Sequence, residues 1–227
     1  MRGKRALLAQ AAWAALTAII LFITPRLSAQ TPINDLIFTV GTTIRDGGNQ
    51  DWSYVLVGAV DPGLLRGKRF AVYGKAGDPA SAATFSLRAN LFQQTDTAAI
   101  NTLLNQSVAL GQNLATLSQA LDNTLRAIPG IASQPLPQKV LTLFQVAATD
   151  PQTANILRLL ALNHPGLKLT LGQACAEPLA GVTTYEVRDV NPANGTAGDV
   201  LGRVTITPGA ALVVPAPGRP FQGVTNH

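Results

Sequence analysis

Residues 84–100 read Thr84-Phe85-Ser86-Leu87-Arg88-Ala89-Asn90-Leu91-Phe92-Gln93-Gln94-Thr95-Asp96-Thr97-Ala98-Ala99-Ile100, and the hydrophobic period changes inside them. Up to Phe92, the residues Phe85, Leu87, Ala89 and Leu91 alternate with Ser86, Arg88 and Asn90, the spacing of a half-buried strand. Thr95 or Asp96 suits a helix N-cap. Apolar residues then fall at Ile100, Leu103, Leu110, Leu114, Leu117, Leu121, Leu125 and Ile128, with Ser107 filling one place. Steps of three and four predict one continuous helix face, stopped by Pro129-Gly130. A helix of about 30 residues would be about 45 Å long. Its opposite face carries Asn, Gln, Ser and Thr in place of Lys–Glu pairs, so it needs tertiary packing to persist.

Upstream, the pattern predicts strands. Leu36 to Ile44 is apolar and β-branched, and Asp46-Gly47-Gly48-Asn49 supplies turn chemistry. Trp52 to Ala59 puts Trp52, Tyr54, Leu56 and Gly58 on one face and Ser53, Val55 and Val57 on the other. Asp61-Pro62-Gly63 breaks it, and Lys68 to Tyr73 reads as the next strand. Downstream of the long helix, Pro137 opens a helix through Val140, Leu141 and Phe144. Asp150-Pro151 caps another through Ile156, Leu157, Leu160 and Leu162, and Leu167 to Ala176 reads as a last helix. Strand spacing returns over Thr183 to Val190, turns at Asn191-Pro192-Ala193-Asn194-Gly195, and continues over Val200 to Thr207 and Ala211 to Val214. The expected fold class is α+β: an antiparallel β-sandwich-like sheet interrupted by a long helical insert. Its parts are a first β-rich half over 30–94, the insert over 95–180 and a second β-rich half over 181–214.

The two ends are read separately. Arg2, Lys4 and Arg5 precede an apolar run from Ala6 to Thr24, and Leu27-Ser28-Ala29 offers a small-residue cleavage site, so residues 1–29 are expected to be a secretory signal peptide. If it is not cleaved, residues 6–24 are the segment that would sit in a membrane. Pro215-Ala216-Pro217-Gly218-Arg219-Pro220 excludes helix and central strand, so 215–227 is expected to be a Pro-rich linker or truncated end of a longer exported protein.

The leader also explains the charge. The chain has a net charge of +5, but four of its bases and none of its acids lie in residues 1–29, leaving 13 basic against 12 acidic residues. A nearly neutral exported chain gives no ground for a nucleic-acid partner or a membrane-surface role. Cys175 is the single cysteine, so no internal disulfide forms.

No residue is assigned a catalytic, cofactor-binding or metal-binding role. Gly-x-Ser-x-Gly is absent. His164 stands before Pro165 as a capping residue, and His227 ends the chain. Glu177 and Glu186 are the only glutamates, while Asp46, Asp61 and Asp78 read as turn-formers rather than glycosidase carboxylates. Asp46-Gly47-Gly48-Asn49-Gln50-Asp51 departs from a calcium loop at Gly48 and lacks the later Glu; Asp189 to Asp199 has a similar weak case. Gly63-Leu64-Leu65-Arg66-Gly67-Lys68-Arg69 is one residue short of a phosphate loop and lacks its hydroxyl. Arg66, Lys68, Arg69 and Lys75 form either a basic patch for anionic glycans or a charged strand edge. Asn105 and Asn194 head glycosylation sequons.

Tyr185-Glu186-Val187-Arg188-Asp189-Val190-Asn191, a loop with Gly195 and Gly198, and Val204-Thr205-Ile206-Thr207 resemble the last two strands of a fibronectin type III-like module. Trp52, near the start of an early strand, adds to the likeness, which covers about 25 residues and one Trp. In general style the chain is also similar to uncharacterised N-terminal regions of large exported bacterial proteins. The resemblance implies an extracellular spacer or binding domain, not an enzyme, with an unknown protein or glycan partner. The alternatives are a module that self-associates through its leucine seam and an enzyme of unrecognised type.

Overall fold

The computed structural model describes residues 37–209 and the backbone of Pro215–Ala216 and Gln222–Gly223. The expected signal peptide and the strand expected over Ala211 to Val214 lie outside the described residues.

Seven strands form two antiparallel sheets. β1 (Ile37–Arg45), β2 (Asp51–Ala59) and β5 (Ala174–Pro178) make one, in the order β1-β2-β5. β3 (Phe70–Ala76), β4 (Ser86–Leu91), β6 (Thr183–Val190) and β7 (Ala197–Ile206) make the other, in the order β4-β3-β6-β7. The α+β sandwich with a helical insert is therefore the observed fold class. Ser53, Val55 and Val57 are buried between the sheets, as the alternation of β2 predicts. Ile37, Val55 and Val57 pack there with Phe70, Val72, Tyr185, Val187, Val204 and Ile206. β4 is less regular than its sequence promises. A register shift opposite Val72 and Tyr73 leaves Leu87 exposed while Leu91 stays in the core.

Five helices lie between β4 and β5: α1 (Thr97–Val108), α2 (Leu114–Thr124), α3 (Leu136–Thr149), α4 (Pro151–Asn163) and α5 (Pro165–Thr170). They enclose a separate core in which Ile100, Leu104, Leu117, Leu121, Leu125, Val140, Leu143 and Phe144 meet. The outer face of β2 carries Trp52, Tyr54 and Leu56, which pack with Leu103 and Leu110 from the α1 end and Leu169 of α5. The domain thus has three layers, helices on sheet on sheet. Insertion leaves the sandwich closed at its neck, where the Gln94 N–H donates to the Thr170 carbonyl at 2.9 Å.

Two expectations about the helices are corrected. The single long helix is two, because Gly111 at φ +81° ends the first and the Asn113 side chain caps the second by accepting from the Thr116 N–H. The break splits the leucine seam. α1 buries Leu104, absent from that seam, in the helical core and turns Leu103 toward the sheet. Leu117, Leu121 and Leu125 are consumed by the chain's own core, so this seam is not free for a second chain.

The helix expected over Leu167 to Ala176 ends at Thr170, and Ala174-Cys175-Ala176 joins the sheet, with Cys175 opposite Val55. The helical insert therefore closes at Thr170, short of the expected 180. Non-local pairing overrides the helix preference of the two alanines. The remaining caps follow the sequence: Asp96 accepts from the Ala99 N–H, and Asp150 from the Gln152 and Thr153 N–H groups ahead of Pro151. At the end of the chain, Pro215–Ala216 pairs with Gln222–Gly223 in a short ladder outside both main sheets.

Candidate functional site

The β2–β3 connection begins with Asp61, whose side chain accepts from the Gly63 N–H and starts a turn of 3-10 helix over Pro62–Leu65. That turn projects the chain toward the helical insert. Arg66 follows it, and its Nη2 donates to the Ala148 carbonyl near the end of α3 at 2.8 Å. A cation at a helix C-terminus meets the negative end of the helix dipole.

The space between this connection, the end of β4 and helices α3 to α5 is a groove of about 670 Å³. Gly172, at φ +67°, keeps its wall close. A Cβ there would fall 2.2 Å from the Phe92 amide nitrogen, so the turn after α5 and the end of β4 touch backbone to backbone.

Among the described residues, five cations line the groove, Arg66, Lys68, Arg69, Arg158 and Lys168, and no carboxylate does. Among the described residues, none of the five makes an ion pair. The pairs present there use Arg45, Arg88, Lys139, Arg188 and Arg203. Arg69 lies 5.7 Å from the centre of the Phe92 ring, and Arg158 Nη1 donates to Asn155 Oδ1 at 3.1 Å. Burial holds the Lys168 ammonium below its ordinary value. Like charges gathered without a counter-charge repel one another, and a bound anion would relieve that repulsion.

A second cavity of about 200 Å³ adjoins the groove and shares Arg66 and Arg158 with it. Its wall adds Thr149 and Pro151 but no large hydrophobic side chain.

No family model, curated protein or solved structure matches this chain.

Arg66, Lys68 and Arg69 meet at the groove. Lys75, expected with them, is buried, and its Nζ donates to the carbonyls of Pro79 and Ser81. Asp46 closes its turn by accepting from the Gly48 and Gln50 N–H groups and from Trp52 Nε1, with its carboxyl held below the ordinary value chiefly by the Gln50 bond. Asp51 pairs with Arg45, Asp78 accepts from the Ala80 N–H, and Asn191 and Asn194 accept within the turn after β6.

His164 sits between α4 and α5 with Nδ1 3.0 Å from Gln112 Nε2, outside the groove lining. Cys175 is buried, and desolvation pushes its thiol up to about 12. Glu177 accepts from the buried Tyr185 hydroxyl at 2.8 Å. Glu186 is fully buried between Arg188 and Arg203. Asn105 and Asn194 are exposed, although Ser107 of the first sequon is buried. Among the described residues no group of three or more His, Cys, Asp or Glu side chains could hold a metal ion, and no helix is long and apolar enough to cross a membrane.

Reading the sequence alone missed Arg158 and Lys168. A signal for them exists. Residues 62–77 and 151–176 contain no acid, so their bases have no local partner.

Proposed function

We propose that this chain is a non-catalytic, exported binding module that takes an anionic ligand in the groove between its sandwich and its helical insert. The five cations that make no ion pair among the described residues, around a lining in which those residues place no carboxylate, carry this reading. The basic start, apolar run and Leu27-Ser28-Ala29 end of the leader support export. Seven antiparallel strands in two sheets support a sandwich module of the kind that fibronectin type III-like proteins use outside the cell.

Titration calorimetry of the full chain with dodecyl phosphate, a sulfated oligosaccharide and a polyuronate tests the binding. At least one binds with one-to-one stoichiometry and weakens as salt rises. The double substitution Arg66→Glu with Arg158→Glu lowers that affinity at least about tenfold, equivalent to about 1.4 kcal/mol. Equal binding by both proteins, or no binding of any anion, would remove the reading. Export is tested by the N-terminus of the protein from its native host. Gln30 is expected first, and an intact Met1 on cytoplasmic protein defeats the localisation.

A further inference from the structure

Three exposed large hydrophobic side chains, Phe92, Leu159 and Leu162, border the groove, and Leu162 keeps 69 % of its surface open. Phe144, Leu157 and Leu171 also contribute to its lining. Such a wall gains free energy only when apolar matter covers it. The adjoining smaller cavity places Arg66, Arg158 and Asn155 together without a large hydrophobic side chain, while Lys68, Arg69 and Lys168 line the larger one beside its apolar wall. Arg66 spends a donor on the Ala148 carbonyl, which fixes the guanidinium, and a guanidinium carries five donors in all. It therefore retains donors for the two-point contact that carboxylates and phosphates accept.

Resting on the reading of the groove as an anion site, we propose that its occupant is a single-chain amphiphile. The alkyl or acyl chain lies in the larger cavity, and a carboxylate or phosphate monoester head meets Arg66 and Arg158. The volume of about 670 Å³ falls within the roughly 300–1,000 Å³ of small-molecule sites. A glycan anion would satisfy the cations yet leave Phe92, Leu159 and Leu162 uncovered. A neutral oil would cover them yet leave Arg66 and Arg158 without a counter-charge.

Calorimetry of the full chain with the monomeric anions octanoate, decanoate, dodecanoate and dodecyl phosphate, each below its micelle concentration, tests this. Affinity should rise about fourfold for each methylene that enters the groove. Dodecanol should bind at least about tenfold more weakly than dodecanoate. Leu162→Asp, at an exposed position, should flatten the chain-length series, whereas Arg126→Ala, an exposed cation away from the groove, should leave it unchanged. Thermal melting checks that each variant is folded, and the ligand series stands without variants.

Anion binding with no dependence on chain length would overturn the amphiphile while sparing the anion site. Equal binding of dodecanol and dodecanoate would overturn both. Binding to vesicles of anionic phospholipid but not to the monomers would also overturn the proposal, since the site would then read a lipid surface.

Discussion

Arg66 Nη2 donates to the backbone carbonyl of Ala148 at 2.8 Å, so one side chain ties the connection after β2 to the last turns of α3. The residue that positions the groove wall is thus also one of its charges. Arg66→Ala should loosen this tie at a cost to stability of about 1 kcal/mol, read by urea denaturation, and weaken anion binding as well. Arg66→Lys should keep most of the charge effect but lose the fixed two-point contact. Identical binding by the Lys and Arg forms would show that the fork geometry is not used.

Glu186, with no exposed surface, accepts from Arg188 and Arg203 on neighbouring positions of β6 and β7. Glu186→Ala would leave two guanidinium groups facing each other across a vacated site. Because both arginines are partly exposed, solvent moderates the loss, and we expect about 2–3 kcal/mol by chemical denaturation. A loss below about 0.5 kcal/mol would mean that water replaces the carboxylate freely.

Gly172→Ala should destabilise the junction of sandwich and insert more than Gly111→Ala does. Both glycines sit at positive φ, but only at Gly172 would the new methyl strike backbone. Comparison of melting temperatures decides, and equal losses would contradict the close approach at Phe92.

Acid should unfold this protein through its turn and cap aspartates. Thr153 hydrogen bonds hold the Asp150 carboxyl below its ordinary value of 3.8, and Arg45 does the same for Asp51. A lowered folded-state value means that the stabilisation is fully present above the unfolded-state value. It is lost as pH falls through the folded-state values, which here means below about pH 4. Asp150→Asn should therefore flatten the fall of melting temperature across that range. An unchanged slope would place the acid sensitivity elsewhere.

Cys175 should resist thiol reagents at pH 8 while the fold is intact and react at once in denaturant, because burial keeps its thiol protonated. Fast labelling of the native protein would mean that β5 leaves β2 readily.

The sandwich strands are legible because alternation and turn residues are local signals. Trp52 to Ala59 shows its two faces in the order of its side chains, and Asp46 announces the turn before it. Three features are hidden from the pattern, two by near neighbours and one by a distant strand. Gly111 looks like a single weak residue in a long helix, and only together with the cap at Asn113 does it read as a stop and a restart. The segment Ala174-Cys175-Ala176 takes its conformation from β2, more than a hundred residues earlier, so its own composition misleads. Lys75 looks like a surface charge until the carbonyls of Pro79 and Ser81 fold over it.

The groove was half visible. Arg66, Lys68 and Arg69 stand together in the chain, whereas Arg158 and Lys168 reach them only through helix packing. No sequence pattern states that Phe92 and Leu162 will share a wall.

The bond between Gln94 and Thr170 bears on how the domain could be engineered. A seventy-odd-residue bundle whose two ends meet at a hydrogen bond has the form of a cassette, entered and left at one neck without breaking a strand pairing of the sandwich. The proposed recognition surface does not travel with that cassette. Arg66 and Phe92 stay behind with one partner while Arg158 and Lys168 leave with the other, so specificity belongs to the union and would have to be rebuilt at every new graft.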